Sequence, residues 1–456
     1  MANLRCYTAS WVLPVTAPPI RDGGLLVDER GRIAAIGTLD QMPSHAEAPR
    51  VELGDAVLLP GLINVHAHPE LSAFRGLLDD LPFHEWIPSL MRGKRGAQLT
   101  FDDYLAAARW TCVESLRAGV TTIGATEDSG AAVPALREAR MRGLVYLEVF
   151  GPAPEQVQVS MQMLQDKVQR FGAETGDRVR IGVSPHAPYT VSDDLYRAVA
   201  SYARAEKLPV ATHTAEAEAE DLLLREARGP FAAGLRTRGI ATEPRALSTV
   251  DLLARTGILD CAPLLIHALR FDDGDLRRAV ESGATVAHCP IANARLGHGI
   301  ARIVEMRAAG LNVAIGTDSV ASNNRLDVLE EGRVAQLMQR ARLQSASALS
   351  SQELLEMVTI DAARALGMAD VTGSLEVGKD ADFCVLSLEQ AHNVPAPDPV
   401  SAVFHSARGS DIIMTAVRGE MLYVGGSVIP FDVPALRRQM MEIGERLHAT
   451  RSGSAR

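Results

Sequence analysis

The chain is poor in cysteine. Five occur in 456 residues (Cys6, Cys112, Cys261, Cys289 and Cys384), odd in number and scattered. That argues against a disulfide framework and fits a reducing compartment. No basic run appears, and the formal net charge is −10, so a nucleic-acid partner is not expected. No uninterrupted apolar run reaches the roughly 20 residues of a membrane span, so no membrane partner is expected. The first residues, Met1-Ala2-Asn3-Leu4-Arg5-Cys6, lack the charged-then-apolar pattern of a signal peptide. These absences leave a cytoplasmic protein acting on a small molecule, with a homo-oligomer compatible but not indicated.

The most informative stretch is Leu58-Leu59-Pro60-Gly61-Leu62-Ile63-Asn64-Val65-His66-Ala67-His68. It reads as an apolar strand ending in two histidines one residue apart. In an extended strand, residues i and i+2 share a face. His66 and His68 therefore aim their imidazoles at one spot, an arrangement suited to a metal ion.

Between 57 and about 320, short apolar runs alternate with amphipathic segments. The runs are 57–65, 120–125, 144–150, 179–183, 209–212, 264–266, 285–287 and 312–315. Helix-like stretches such as 101–118, 192–206 and 300–309 lie between them. Strands alternating with helices in this number predict an α/β protein, a closed parallel (β/α)8 TIM barrel. Residues 23–37 read as a hairpin, and the runs 383–386, 414–417 and 421–424 read as further strands. Neither chain end buries a core alone. The expected organisation is a small β-sandwich from 1–56 plus 373–430, a barrel over 57–372, and a C-terminal helix or tail over 431–456.

Six of the twelve histidines fall at or just past the C-terminal ends of the proposed barrel strands: His66, His68, His186, His213, His267 and His288. Barrel active sites are built on that face. His45 and His448 lie elsewhere and receive no role. Asp318 follows the last strand, where an unpaired carboxylate is costly to bury. Each residue also has a plainer reading. Asp318 suits a helix N-cap, His213 and His267 suit hydrogen-bonded core histidines, and Cys289 suits a packed small residue. The plainer readings do not explain the convergence on one barrel end.

These pieces together resemble the amidohydrolase superfamily, in its cytosine-deaminase-like and nucleoside-deaminase-like branch. The resemblance is carried by 60–68, by His213-Thr214-Ala215-Glu216, by His267, by 316–324 and by 373–382. It implies metal ligands at His66, His68, His213 and Asp318, holding one divalent ion, zinc or iron. Many relatives hold two metals with a carboxylated lysine after strand four. No lysine lies near the ends of strands two to four, which favours one metal. Glu148 is the comparable carboxylate in a strand interior, with a backbone group or an arginine as its expected partner.

The implied activity is hydrolytic deamination of an aminated ring, with release of ammonia. Metal-activated water attacks the ring carbon. Glu216 carries a proton to the ring nitrogen beside it, His267 orients the water, and Asp318 relays a proton to the departing ammonia. Zinc deaminases of another fold also pair an activated water with a glutamate that is not a ligand. Hydrolysis of a triazine, or deamination of guanine or cytosine, is the alternative. A barrel that senses metal and ligand without turnover is a third reading, disfavoured by the complete residue set.

For the substrate, Phe83-His84-Glu85-Trp86-Ile87 resembles a segment of the deaminases acting on S-adenosylhomocysteine and methylthioadenosine. There a glutamate holds the ribose hydroxyls, which implies substrate contacts from Glu85 and Trp86; a carboxylate facing solvent is the plainer reading of Glu85. His186, in the segment after strand four, and Ser319 are implied at the substrate as well. A finer similarity, in 68–72 and 83–87, is to aminodeoxyfutalosine deaminases of menaquinone biosynthesis. Arg75, Arg92 and Arg95 are candidates by location to clamp that substrate's carboxylate. The segment 293–299 resembles the family's loop after strand seven, which shapes the substrate mouth.

Overall fold

The computed structural model describes residues 4–42 and 48–453; His45 lies outside them. Eight parallel strands carry the site: β1 (Leu62–Ala67), β2 (Val120–Glu127), β3 (Arg142–Val149), β4 (Val179–Pro185), β5 (Ala211–Thr214), β6 (Leu264–His267), β7 (Thr285–His288) and β8 (Asn312–Ile315). The first four pair in order as one sheet and the last four as another. Two seams join them. Val183 bridges Val210, and its N–H donates to Pro209 O at 2.9 Å. At the other seam, the N–H groups of Thr317 and Asp318 donate to His66 O at 3.0 and 2.9 Å. This second approach needs Gly316, because a Cβ there would lie 2.9 Å from His66 Cβ. Two sheets joined in this way give the expected (β/α)8 barrel.

Ile63, Val65, Leu144, Tyr146, Ala211, Leu264, Ile266, Ala287 and Ala314 share one buried cluster, stoppered by Ala362, Ala363 and Leu366. A filled interior leaves the strand ends as the place for a cavity. The helices form where polar caps precede amphipathic runs. Thr100 caps Phe101–Arg117 in a capping box with Asp103, and Ser192 caps Asp193–Glu206. No helix among the described residues is long and apolar enough to cross a membrane.

Both chain ends meet in one nine-stranded sheet. Its main path runs Ser427–Val428, Glu420–Val424, Ile412–Val417, Phe383–Ser387, Ala56–Pro60, Arg5–Val12, Ile20–Val27 and Ile33–Thr38, with Arg50–Glu52 pairing on Arg5–Val12. Tyr7, Leu25, Ile33, Leu58, Phe383 and Met414, drawn from strands across that order, form a single buried cluster. One continuous sheet therefore encloses its own core.

The single strand expected over 57–65 is two. Ala56–Pro60 belongs to the nine-stranded sheet, and only Leu62–Ala67 enters the barrel. The break falls where Pro60 offers no N–H. It also falls where Gly61 packs so closely that a Cβ would sit 2.2 Å from Thr121 Cγ2.

The two units are pinned by a buried ion cluster. Arg142, at the start of β3 and 6 % exposed, donates to Asp380 and Asp382 beside the sheet strand Phe383–Ser387. Asp382 Oδ1 also accepts from Arg418 N at 2.8 Å. Removing one partner of such a cluster strands a buried charge. We therefore expect Asp382→Ala to lower unfolding stability by about 3–5 kcal/mol, measured by urea denaturation. A loss below about 1 kcal/mol, the scale of a surface pair, would show that the cluster does not hold the units together.

Candidate active site

Three imidazoles converge above the filled interior. Ligand-capable atoms of His66, His68 and His213 lie within 4.8 Å of one another. Hydrogen bonds fix which nitrogens face inward. His213 Nδ1 lies 3.1 Å from the carbonyl of His186, which can only accept, so Nδ1 carries the proton and Nε2 is bare. His66 Nδ1 meets Thr126 Oγ1 at 3.1 Å, and its buried Nε2 makes no hydrogen bond among the described residues. Asp318 Oδ1 lies 3.4 Å from His66 Nε2 and 3.5 Å from His68 Nε2. Ser322 donates to the other oxygen, Oδ2, at 2.8 Å, leaving Oδ1 for the cluster.

Burial pushes the three imidazoles down, His68 well below its ordinary range and His213 to about 3. Burial thus favours the neutral rings, which keep lone pairs for a ligand. Three neutral nitrogens and one carboxylate oxygen are a donor set for a divalent cation, and the orphaned Nε2 of His66 is a buried polar atom that such an ion would satisfy. The residues fit the ion. A second triad, Glu148, His186 and His213, also lies within 4.8 Å. It shares His213, whose one bare nitrogen serves a single ion.

Glu216 stands beside the cluster. Its Oε1 lies 3.5 Å from His267 Nε2 and 3.4 Å from His298 Nε2. Burial raises its carboxyl, but the fields of His267, His298 and His213 outweigh burial and bring it below the usual range. Leu264 and Ile266 face the barrel interior, so a regular strand would turn His267 outward. Its φ of 76° turns it in, and Asp318 reaches the cluster with a φ of 59°. Such conformations are unfavourable for residues with a side chain and concentrate at functional sites. His267 Nδ1 is held by Asn293 Oδ1 at 2.9 Å.

Several of these supports were not read from the sequence. His298 sits in the loop after β7. Glu220, four residues beyond Glu216 on the following helix, accepts from the N–H groups of Ala215 and Glu216 at 2.8 and 3.1 Å. Burial pushes Glu220 up to about 7. A carboxylate at i+4 on an acidic helix start carries no signal that it turns inward. His288 is also buried, but both its ring nitrogens lack partners among the described residues and it does not line the cavity.

A cavity of about 1040 Å3 opens over the cluster. Trp86, Ser319 and His186, the residues implied at the substrate, line it. Trp86 Nε1 donates to Ala321 O at 3.3 Å, and Ser319 Oγ caps Val320–Asn323 by accepting from Ala321 N at 2.9 Å. Glu85 is not brought to the cavity. On helix Phe83–Gly96 the lining residues are Phe83, Trp86, Ile87, Leu90, Met91, Lys94 and Arg95, mostly at helical spacing. Glu85 falls off that face, its side chain 60 % exposed. Of the three arginines, Arg95 lines the cavity, whereas Arg75 pairs with Glu114. Arg92 donates to Ser89.

Among the described residues Glu148 has neither of its expected partners, and its Oε1 has no hydrogen-bond partner. It is buried, and burial, reinforced by Glu70 and Asp128, pushes it well up. Nor is it the only such strand carboxylate, because β2 runs on to the buried Glu127. Cys289 is fully buried with its thiol pushed far up by burial, so it packs rather than attacks.

The chain matches the Amidohydrolase family over residues 57–422. It is 30% identical over 446 residues to a 5-methylthioadenosine/S-adenosylhomocysteine deaminase of Moorella thermoacetica, covering 96% of this chain and 97% of the relative. It is 30% identical over 430 residues to a 5′-deoxyadenosine deaminase of Methanosarcina barkeri, covering 93% of each. Among solved structures, a zinc-bound adenosine deaminase of Xanthomonas campestris superposes with a TM-score of 0.85 at 25% identity, over 97% of this chain and 98% of that one.

The site geometry predicts opposite behaviour for neighbours in sequence. His213→Ala and Asp318→Ala should purify with little metal, because each removes a donor from a minimal set. Glu216→Gln should retain about one ion per chain, since Glu216 faces histidines outside that set. Elemental analysis of the purified variants checks this. Equal metal in all three would refute the donor assignment.

Proposed function

The chain belongs to the amidohydrolase family, and from that premise we propose that it is a metal-dependent hydrolase that deaminates an adenine nucleoside and releases ammonia. The observation that carries the reading is Glu216, a buried carboxylate held between His267 and His298 at the edge of the histidine cluster. The deaminase names of relatives aligned over nearly the whole chain support it. His66, His68, His213 and Asp318 would hold one ion. Three nitrogens and one oxygen suit zinc, and iron shares that preference. A divalent cation, when bound, supplies the Lewis acidity that makes water nucleophilic near neutral pH.

The remaining work falls to the chain's own side chains. Trp86, Phe83 and Leu296 give the cavity apolar walls for a flat base. Glu216 takes a proton from the attacking water and gives it to the ring nitrogen beside the amino-bearing carbon. His267, fixed by Asn293, presents Nε2 towards the same place and orients the water. Asp318 takes the second proton of the water and passes it to the amino group. The C–N bond breaks as ammonia leaves, and the ring keeps the oxygen and the first proton. Burial of these groups removes competing water and strengthens each interaction.

The cavity volume leaves room beyond base and sugar for a 5′ substituent. This agrees with relatives whose names include methylthio-, homocysteinyl- and 5′-deoxy-adenosines.

Metal-loaded protein offered adenosine, methylthioadenosine, S-adenosylhomocysteine, guanine, cytosine and a chlorotriazine should release ammonia from the adenine nucleosides with the highest kcat/KM. Turnover of the triazine or free bases alone would overturn the assignment. Glu216→Gln should lower kcat by at least about 10²-fold while substrate still binds. Near-normal kcat in a metal-replete variant would remove Glu216 from the chemistry.

A further inference from the structure

His298 has no step of its own in the chemistry above, yet it is built into the site. Its side chain is 5 % exposed, and it approaches Glu216 from outside the lining of the cavity. Its Nε2 is buried and makes no hydrogen bond among the described residues, although Glu216 Oε1 lies 3.4 Å away. A native protein rarely leaves a buried polar atom unmatched without a reason. A lone pair would repel the carboxylate, so the nitrogen facing Glu216 carries the proton. Donor and acceptor are both in place, and their alignment falls just short. Catalytic hydrogen bonds often stand long or misaligned before substrate binds and tighten in the complex.

Phe83 supplies the means of tightening. Its ring meets His298 edge-on, with centroids 4.7 Å apart and planes at 82°. Phe83 opens helix Phe83–Gly96 and lines the cavity, which His298 does not. Phe231 and Tyr189 pack on the same ring, with centroids 5.9 and 6.2 Å away. A base lying on Phe83 therefore bears on a confined ring whose closest aromatic contact is His298.

One residue sets both imidazoles at the carboxylate. Asn293 Oδ1 holds His267 Nδ1 at 2.9 Å, and Asn293 O accepts from the backbone N–H of His298 at 2.9 Å. Both Nε2 atoms approach Glu216 Oε1. The other oxygen, Oε2, is left for the water and the ring nitrogen. Fixing Oε1 thus fixes where the proton is delivered, and general acid–base catalysis depends on that geometry first.

We propose that His298 is a positioning residue for Glu216, and that a base packed on Phe83 closes the His298–Glu216 hydrogen bond. This rests on the acid–base role given to Glu216 above and adds how occupation of the cavity aims its carboxylate.

The test measures adenosine turnover by metal-loaded enzyme. His298→Phe keeps a ring against Phe83 and removes the donor, whereas His298→Gln keeps a donor of similar reach. His298→Phe should lower kcat by about tenfold or more, the scale of one hydrogen bond to a charged group. Its KM should stay within about threefold of wild type, since the loss falls on the transition state, and its metal content should be unchanged. His298→Gln should recover part of kcat. Two double-mutant cycles then read the coupling. His298→Phe should cost little further kcat in a Glu216→Gln background, and Phe83→Leu should cost little further kcat in a His298→Phe background. His298→Met, flexible enough to fill the same space, replaces the phenylalanine variant if that does not fold. An unchanged kcat in His298→Phe, or losses that simply add in the first cycle, overturns the positioning role. Losses that add in the second cycle overturn the part given to Phe83. Either result, with kcat still lost in Glu216→Gln, leaves the deaminase reading standing. A metal-replete Glu216→Gln with near-normal kcat overturns both.

Discussion

The site depends on imidazole nitrogens that carry no proton and converge on one point. His213 donates a hydrogen bond from Nδ1–H to the His186 carbonyl, and His66 places Nδ1 on Thr126, so their Nε2 atoms face the cluster. Burial keeps those rings neutral. An unfilled cluster of that kind is unfavourable, and a cation makes it favourable. The cost of assembling it is met by the barrel, whose strand ends fix the side chains whether or not an ion is present.

Buried carboxyl groups hold the loops that frame this centre. Glu127 accepts from Ala132 N at 2.6 Å. Glu220 accepts from Ala215 and Glu216. Glu331 Oε2 accepts from Ile291 N at 3.1 Å, while its other oxygen takes the side chain of Asn323. Burial pushes all three up from the usual carboxylate range. Each ties a backbone turn after a strand to a fixed element. Glu216 is thus positioned from two sides, by Glu220 through its own backbone and by His267 and His298 through its carboxylate. Precise placement of this kind is what general acid–base catalysis requires.

Much of this was legible from one-dimensional pattern. Alternation of apolar runs with capped amphipathic segments leads to the barrel, and the His-x-His spacing leads to a shared ligand face. What escaped depends on contacts remote in sequence or on backbone form. The break between Ala56–Pro60 and Leu62–Ala67 is set by the packing of Gly61 against Thr121. His267 reaches the site only through a left-handed backbone that its sequence does not announce. Glu85 is adjacent to Trp86, yet one helical step of about 100° separates solvent from cavity. Glu148 lies inside an apolar strand, and its neighbour His186 comes from the residue that follows β4. Family likeness carries the roles of matched positions but not the orientation of each side chain here.

The central claim is that one divalent ion is held by His66, His68, His213 and Asp318. X-ray absorption at the edge of the bound metal tests it directly. The account predicts a single ion with imidazole scattering from three histidines and a nitrogen/oxygen shell at about 2.0–2.2 Å. A metal–metal vector, a sulfur shell, or a spectrum without imidazole scattering would contradict it.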